Sequence, residues 1–314
     1  MSFFNPERFN ILLAIDGSEE TYRALKYAER VGRGNDADIT LLYVRPIDRS
    51  SDMAGLDMRA VRQNMLDWGL ELPGMASLEA TRAMLIASGY MNNDWKTEAA
   101  YREVTGDPLG DTFVNYMSEK GARITLKLIV RPTMAKGILD ELSRYDYDLT
   151  ILALNTGAGG NDRRRSIGWP VVRHVIDDYA GTVLVARGIV ENHGHLICVV
   201  NNQRSVDAAV QDAIMASRCD CPVFLLSVAP DKAGRAEAET AIERANAAIA
   251  AVNVPVVESK VRIGDPKTTI IRQGRHFSVI VMSEPHVRGL RRLFTTSVSY
   301  DVLRDASNSV MIIQ

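Results

Sequence analysis

Cysteine is scarce: Cys198, Cys219 and Cys221 are the only three in 314 residues, and they form no C-x-x-C pair. Neither a disulfide framework nor a zinc knuckle is expected from them, and they read as reduced, mostly buried thiols. Aromatic residues are few, at 6%, and no basic stripe is interleaved with them, which argues against a nucleic-acid surface. Charges nearly cancel, leaving −2, so there is no bulk attraction to nucleic acid or membrane. No apolar run reaches the length of a membrane span, and the opening MSFFNPERFN lacks a signal-peptide core, so a cytoplasmic location is expected. Also missing are a Walker A sequence, a G-x-S-x-G elbow and any metal-spaced His or Cys cluster. His193 and His195 flank a glycine in a connector and read as solvated.

What is present is a well-stocked core, 46% hydrophobic, and length enough for two ordinary domains. NILLAID (10–16) is a continuous apolar run that ends in a carboxylate and a Gly-Ser turn, the pattern of a parallel strand buried on both faces. Ser18 can cap the helix that follows, over 21–33. DITLLYV (38–44) is the next buried strand. The pattern then breaks: 46–107 concentrates Met53, Met58, Met65, Met75, Met84 and Met91, with helical stretches near 58–68 and 77–88. A helix over 109–120, a strand over 123–130 and a helix over 134–145 follow. The strand TILAL (150–154) runs through the Gly-rich, basic loop NTGAGGNDRRRSIG to a short helix at 169–179 and a last strand at 182–186.

After a polar connector (187–195) the pattern restarts. Strands are expected at 195–202, 221–228, 256–263, 278–282 and 309–313, with helices at 206–217, 232–251, 266–275 and 295–306. Val44 corresponds to Val228, an offset of 184, whereas Val183 corresponds to Val310, an offset of 127. The difference of 57 residues is extra sequence in the first half. Ile138 and Ile271 differ by 133, so most of it lies between Val44 and the third strand, and the Met-rich segment reads as an insertion.

Three stretches carry a specific resemblance: ILLAIDGSEETYRALKYAERV near the start, RIGDP at 262–266, and GLRRLFTTSVSYDVLRDASNSVMII near the end. Each half resembles a universal stress protein domain, over nearly everything except 46–107. The resemblance implies two tandem α/β domains, each a five-stranded parallel sheet of the adenine nucleotide alpha hydrolase-like, Rossmann-like kind. The domains are 1–187, the linker 188–194, and 195–314. It also implies that the final strands, 182–186 and 309–313, pair within one chain as an internal pseudo-dimer, with further dimerisation left open. Such apolar strands need cover in any case.

Many family members bind ATP. Carried over, the first half offers Asp16 at the end of the first strand, Val44 at the end of the second, and Gly157 and Gly160 in the loop. Nine residues beyond Gly160 the family's third glycine falls on Pro170, and a shortened loop would let Gly168 take its place, though the following hydroxyl is lost. Arg163 and Arg164, with Arg165, add positive charge for phosphates. In the second half Asn201 replaces the carboxylate and Ser283, His286 and Thr296 replace glycines, although Ser297 survives. That site is expected to be closed or altered.

Three readings follow. The first is a stress-response regulator or sensor that binds ATP or another adenine nucleotide, with Mg²⁺ accompanying it, in the first domain only. The second is a nucleotide-free scaffold acting through 46–107 on protein partners, without nucleic acid or membrane. The third is at most a slow ATPase; hydrolysis needs groups to position water and metal, and Asp162 is the one candidate in the loop. No evolved enzyme, catalytic residue or metal site is expected.

Overall fold

The computed structural model describes residues 4–47, 74–104, 107–154, 167–188, 193–283 and 297–314. The chain divides into two compact units, Met1–Tyr179 and Ala180–Gln314.

In the first unit, β1 (Asn10–Ile15) is buried along its whole length and pairs in parallel with β2 (Asp38–Pro46) and β6 (Leu149–Ala153). The link from β1 to β2 is α1 (Glu19–Asn35), whose cap Ser18 accepts from the N–H of Thr21 and whose first turn carries Glu19 and Glu20. Acidic groups there complement the helix dipole. β2 pairs in parallel with β5 (Arg123–Arg131), which is followed by α3 (Met134–Leu142), capped by Thr133. α4 (Trp169–Asp178) comes after β6. Outside β5 lie two antiparallel strands, β4 (Asp107–Met117) and β3 (Lys96–Val104).

Between β2 and β5 the chain also forms α2 (Met75–Ala87). Its first turn lies over the ends of β1 and β2. A Cβ on Gly17 would come within 2.8 Å of Ser77 Oγ, and one on Gly74 within 2.4 Å of the Tyr43 ring. Gly74 also has φ +97°, which side chains avoid. Past the far end of α2, Arg33 Nη2 donates to the Ser88 carbonyl at 3.0 Å and Tyr90 OH to the Ala37 carbonyl at 3.4 Å. α2 therefore lies beside α1 and makes the ordinary crossover to β5.

This revises the reading of 46–107 as one helical insertion. The crossover helix belongs to the repeat, and the additional chain flanks it. Residues 47–74 precede α2, and part of that stretch, including the helix expected near 58–68, lies outside the described residues. Residues 88–122 follow it and carry the β3–β4 hairpin. The helix expected at 109–120 is strand β4 instead. Its run Thr112-Phe113-Val114-Asn115-Tyr116 suits a pleated surface, and β3 and β5 give it a partner on each side. A fully buried carboxylate secures it: Asp111 accepts from Arg131 Nη1 at 3.1 Å, from the Val130 N–H at 2.8 Å, and from Arg102.

The second unit has the strand order β10-β9-β8-β11-β12-β7. Here β8 is His195–Cys198, β9 Val223–Ala229, β10 Val256–Ile263, β11 Val279–Ser283 and β12 Ser309–Ile313. These five are parallel throughout. The helices are α5 (Gln203–Ser217), α6 (Arg235–Ala251), α7 (Pro266–Gly274) and α8 (Val298–Asp305). β7 (Val183–Ala186) ends the first repeat in sequence but sits in the second unit, antiparallel to β12, with Val310 opposite Val185 and Ile312 opposite Val183. Both strands are fully buried, and the expected pairing of the final strands is observed. Ser309 Oγ, which accepts from the Arg187 N–H and donates to its carbonyl, and Arg187 Nη1, which donates to the Ala306 carbonyl at 2.7 Å, fix the end of β7.

His195 is not a solvated connector histidine. It is the first residue of β8, 1% exposed, with Nδ1 3.0 Å from both carboxylate oxygens of the equally buried Asp212 on α5. Burial pulls the imidazole down, but the charge and hydrogen bonds of Asp212 outweigh it and raise the pKa to about 10.

Candidate functional site

In an open parallel sheet, ligands sit beyond the carboxyl ends of the strands, where successive connections leave to opposite sides. Those positions lie between β1 and β6 in the first unit and between β8 and β11 in the second.

At the end of β1, Asp16 Oδ1 accepts from the Ser18 N–H at 2.9 Å and from Thr21 Oγ1 at 2.6 Å. Its other oxygen, Oδ2, accepts from the N–H of Ile167 at 2.9 Å, across 151 positions of sequence. The carboxylate thus ties the β1 turn to the entry of α4. An ionised carboxyl has about four acceptor sites, so roughly one remains for a ligand donor. Val44, near the end of β2, turns its side chain into the core, where a Cβ on Gly137 of α3 would meet it at 2.4 Å. Its contribution to a ligand would be through the backbone.

Gly168 is the N-cap of α4, with φ −89°, and a Cβ there would meet nothing closer than Pro170 Cδ at 3.7 Å. Neither conformation nor space requires glycine at this position. The helix start is also poor in donors, since Pro170 has no N–H and the Val171 N–H is bonded to the Gly168 carbonyl at 3.0 Å. Gly157, Gly160, Arg163 and Arg164 lie outside the described residues. Asp16, Val44 and Gly168 lie near the carboxyl ends of β1, β2 and β6.

The second unit holds an open cavity of about 530 Å³ at its corresponding position. Carbon-rich side chains dominate it: of fourteen lining residues nine are apolar or thiol, and the other five are Asn202, Arg204, Ser283, Ser297 and Ser299. Asn201, which stands in place of Asp16, is exposed and accepts from Arg244 Nη1 at 2.8 Å, so it faces α6 instead of the cavity. Asn202 caps α5 by accepting from the Ser205 N–H at 2.8 Å. Ser299 Oγ donates to the Ser283 carbonyl at 3.1 Å, fastening α8 to the end of β11. Ser297, the N-cap of α8, makes no side-chain capping bond, and its buried Oγ has no partner. Cys198 lines the floor, and burial pushes its thiol up to about 12, so it stays protonated and unreactive at neutral pH. The site is expected to be closed or altered; among the described residues an open cavity lies there, and His286 and Thr296 lie outside them. Sequence reasoning missed Asn202, Arg204 and the cavity itself; the one signal for it was the retained Ser297.

Among the described residues no group of three or more His, Cys, Asp or Glu could hold a metal ion, and no helix is long and apolar enough to cross a membrane.

Two α/β units in one chain, each with its crevice at the ends of parallel strands, define a tandem α/β protein. The universal stress protein family model matches residues 7–175 and 194–314, and the chain belongs to that family. Among solved structures it is similar to a universal stress protein from Archaeoglobus fulgidus DSM 4304, with 15% identity and a TM-score of 0.63 over 97% of this chain and 98% of that one. A putative universal stress protein from Pseudomonas aeruginosa UCBPP-PA14 is 13% identical, with a TM-score of 0.58 over 98% and 93%. At these identities the likeness concerns the fold. Comparison with curated protein sequences gives no match.

Proposed function

We propose that this universal stress protein acts as a stress-response sensor or regulator that binds an adenine nucleotide in its first unit. The observation that supports this most is the bond from the Ile167 N–H to Asp16, which draws the loop exit and the start of α4 to the end of β1. That leaves an acceptor for a base or ribose donor beside the ends of β1 and β2. Since α4 supplies few N–H donors, the phosphates fall to the 155–166 loop, with Gly157 and Gly160 for close approach and Arg163 and Arg164 for charge. Mg²⁺ would arrive on the phosphates.

Calorimetric titration of the full chain with ATP tests this. Asp16→Ala is expected to abolish binding and Asn201→Ala to leave it unchanged. Because Asp16 also holds the turn, Arg163→Ala/Arg164→Ala provides a second arm, with binding weakened at least tenfold and thermal unfolding unaltered. Equal loss from Asp16→Ala and Asn201→Ala would place the nucleotide wrongly, and wild-type affinity in the double arginine variant would remove the phosphate assignment.

A second reading, a scaffold working through the 46–107 region, draws support from β3, an exposed edge strand on a hairpin anchored by Asp111. Exposed edges are templates for strand addition, although the charges of Lys96, Glu98, Arg102 and Glu103 blunt this one.

A further inference from the structure

We infer that the cavity of the second unit is a binding site for a small aliphatic monoanion, an unbranched carboxylate of medium chain length, and not a second nucleotide site. Its volume of about 530 Å³ is in the range of small-molecule sites. The body is hydrocarbon, formed by Leu226, Val228, Ile270 and Met282 among others, and among the described residues no carboxylate, lysine or histidine lines it. A purine needs polar partners for its ring edge, and the group the repeat would use, Asn201, is turned toward Arg244.

Among the described residues Arg204 is the one cation in the lining. It lies in the first turn of α5, where the helix dipole opposes a positive charge, and among the described residues it makes no ion pair. Folding gains nothing evident from an arginine there, whereas a ligand carboxylate would gain a bidentate partner. The second polar element is the start of α8. Among the described residues the buried Ser297 hydroxyl has no partner, and the Val298 and Ser299 N–H groups find no acceptor. A buried orphan hydroxyl is an energetic defect unless something bonds it. A carboxylate between Arg204 and α8, with its chain along Met282 and Ile270, would satisfy all three features.

Nothing in this assignment depends on the nucleotide reading of the first unit. The test is calorimetric titration of the full chain with hexanoate, octanoate and decanoate, each below its micelle concentration, beside decan-1-ol and AMP. One molecule per chain is expected, with affinity rising about fourfold per added methylene. Arg204→Gln should weaken decanoate at least tenfold and leave decan-1-ol unchanged. Ile270→Trp should fill the cavity and abolish binding of both, while the thermal transition persists. Absence of saturable decanoate binding in a folded wild type would overturn the assignment. So would a flat chain-length series, displacement of decanoate by micromolar AMP, or undiminished binding in Ile270→Trp.

Discussion

The strand ends of the two units began from one repeat and now solve different problems. In the first, a carboxylate at the end of β1 binds the turn and the distant Ile167 N–H, and α4 starts with a proline and a glycine cap. In the second, the equivalent Asn201 has swung to Arg244, leaving an apolar hollow beneath α8 with an unpartnered serine at its rim. The strand-end residue that ties the turn to the distant N–H in the first unit has a counterpart in the second that turns toward α6, beside a hollow lined by aliphatic side chains. The crossovers diverge as well: four residues, 252–255, separate α6 from β10, where 35 residues, 88–122, separate α2 from β5.

The sharpest way to break this comparison is through charges each unit buries alone. His195→Ala leaves Asp212 buried without its partner and should cost about 3–5 kcal/mol in denaturant melts, with the loss confined to the second unit. A histidine raised to about 10 stabilises the fold fully below the unfolded value near 6.5. That contribution is lost progressively as pH rises toward 10. Melts of wild type between pH 6 and 10 should show this decline, and His195→Ala should flatten it; an unchanged slope would show that the pair is not ionised as described.

Next comes the hairpin that only the first unit has. Asp111→Ala removes the buried acceptor shared by Arg102, Arg131 and the Val130 N–H and should cost about 3 kcal/mol, with faster amide exchange in β3 and β4 and no change in the second unit. Exchange rates in β3 and β4 matching wild type would mean that strand pairing alone holds the hairpin.

Asp16→Asn keeps an acceptor for some of the three donors but loses the charge. About 1–2 kcal/mol should be lost from the first unit, whereas Asn201→Ala should stay within about 0.5 kcal/mol, both read from thermal transitions. Similar effects at the two positions would erase the contrast drawn here.

The smallest effect concerns the rims. Ser297→Ala removes a hydroxyl that caps nothing and should be neutral to within about 0.5 kcal/mol, while Asn202→Ala gives up a formed cap worth about 1 kcal/mol. A large loss from Ser297→Ala would reveal a bond in solution that the structure does not show.

Sequence by itself determined the repeat, because buried parallel strands such as 10–15 and 309–313 must be continuously apolar and a helix cap such as Ser18 is a local device. It also marked Asp16, since a carboxylate ending an apolar strand stands out wherever it occurs. Only the tertiary structure decided what long-range pairing controls. β4 is a strand because two neighbours offer it hydrogen bonds, although its residues alone allow a helix. The crossover role of α2 depends on where Gly17 and Gly74 let it lie. His195 is buried and charged because Asp212, 17 positions away, meets it across β8 and α5. The hollow in the second unit has no sequence signature of its own, because a cavity is where side chains from three strands and three helices fail to meet, and no single segment records that.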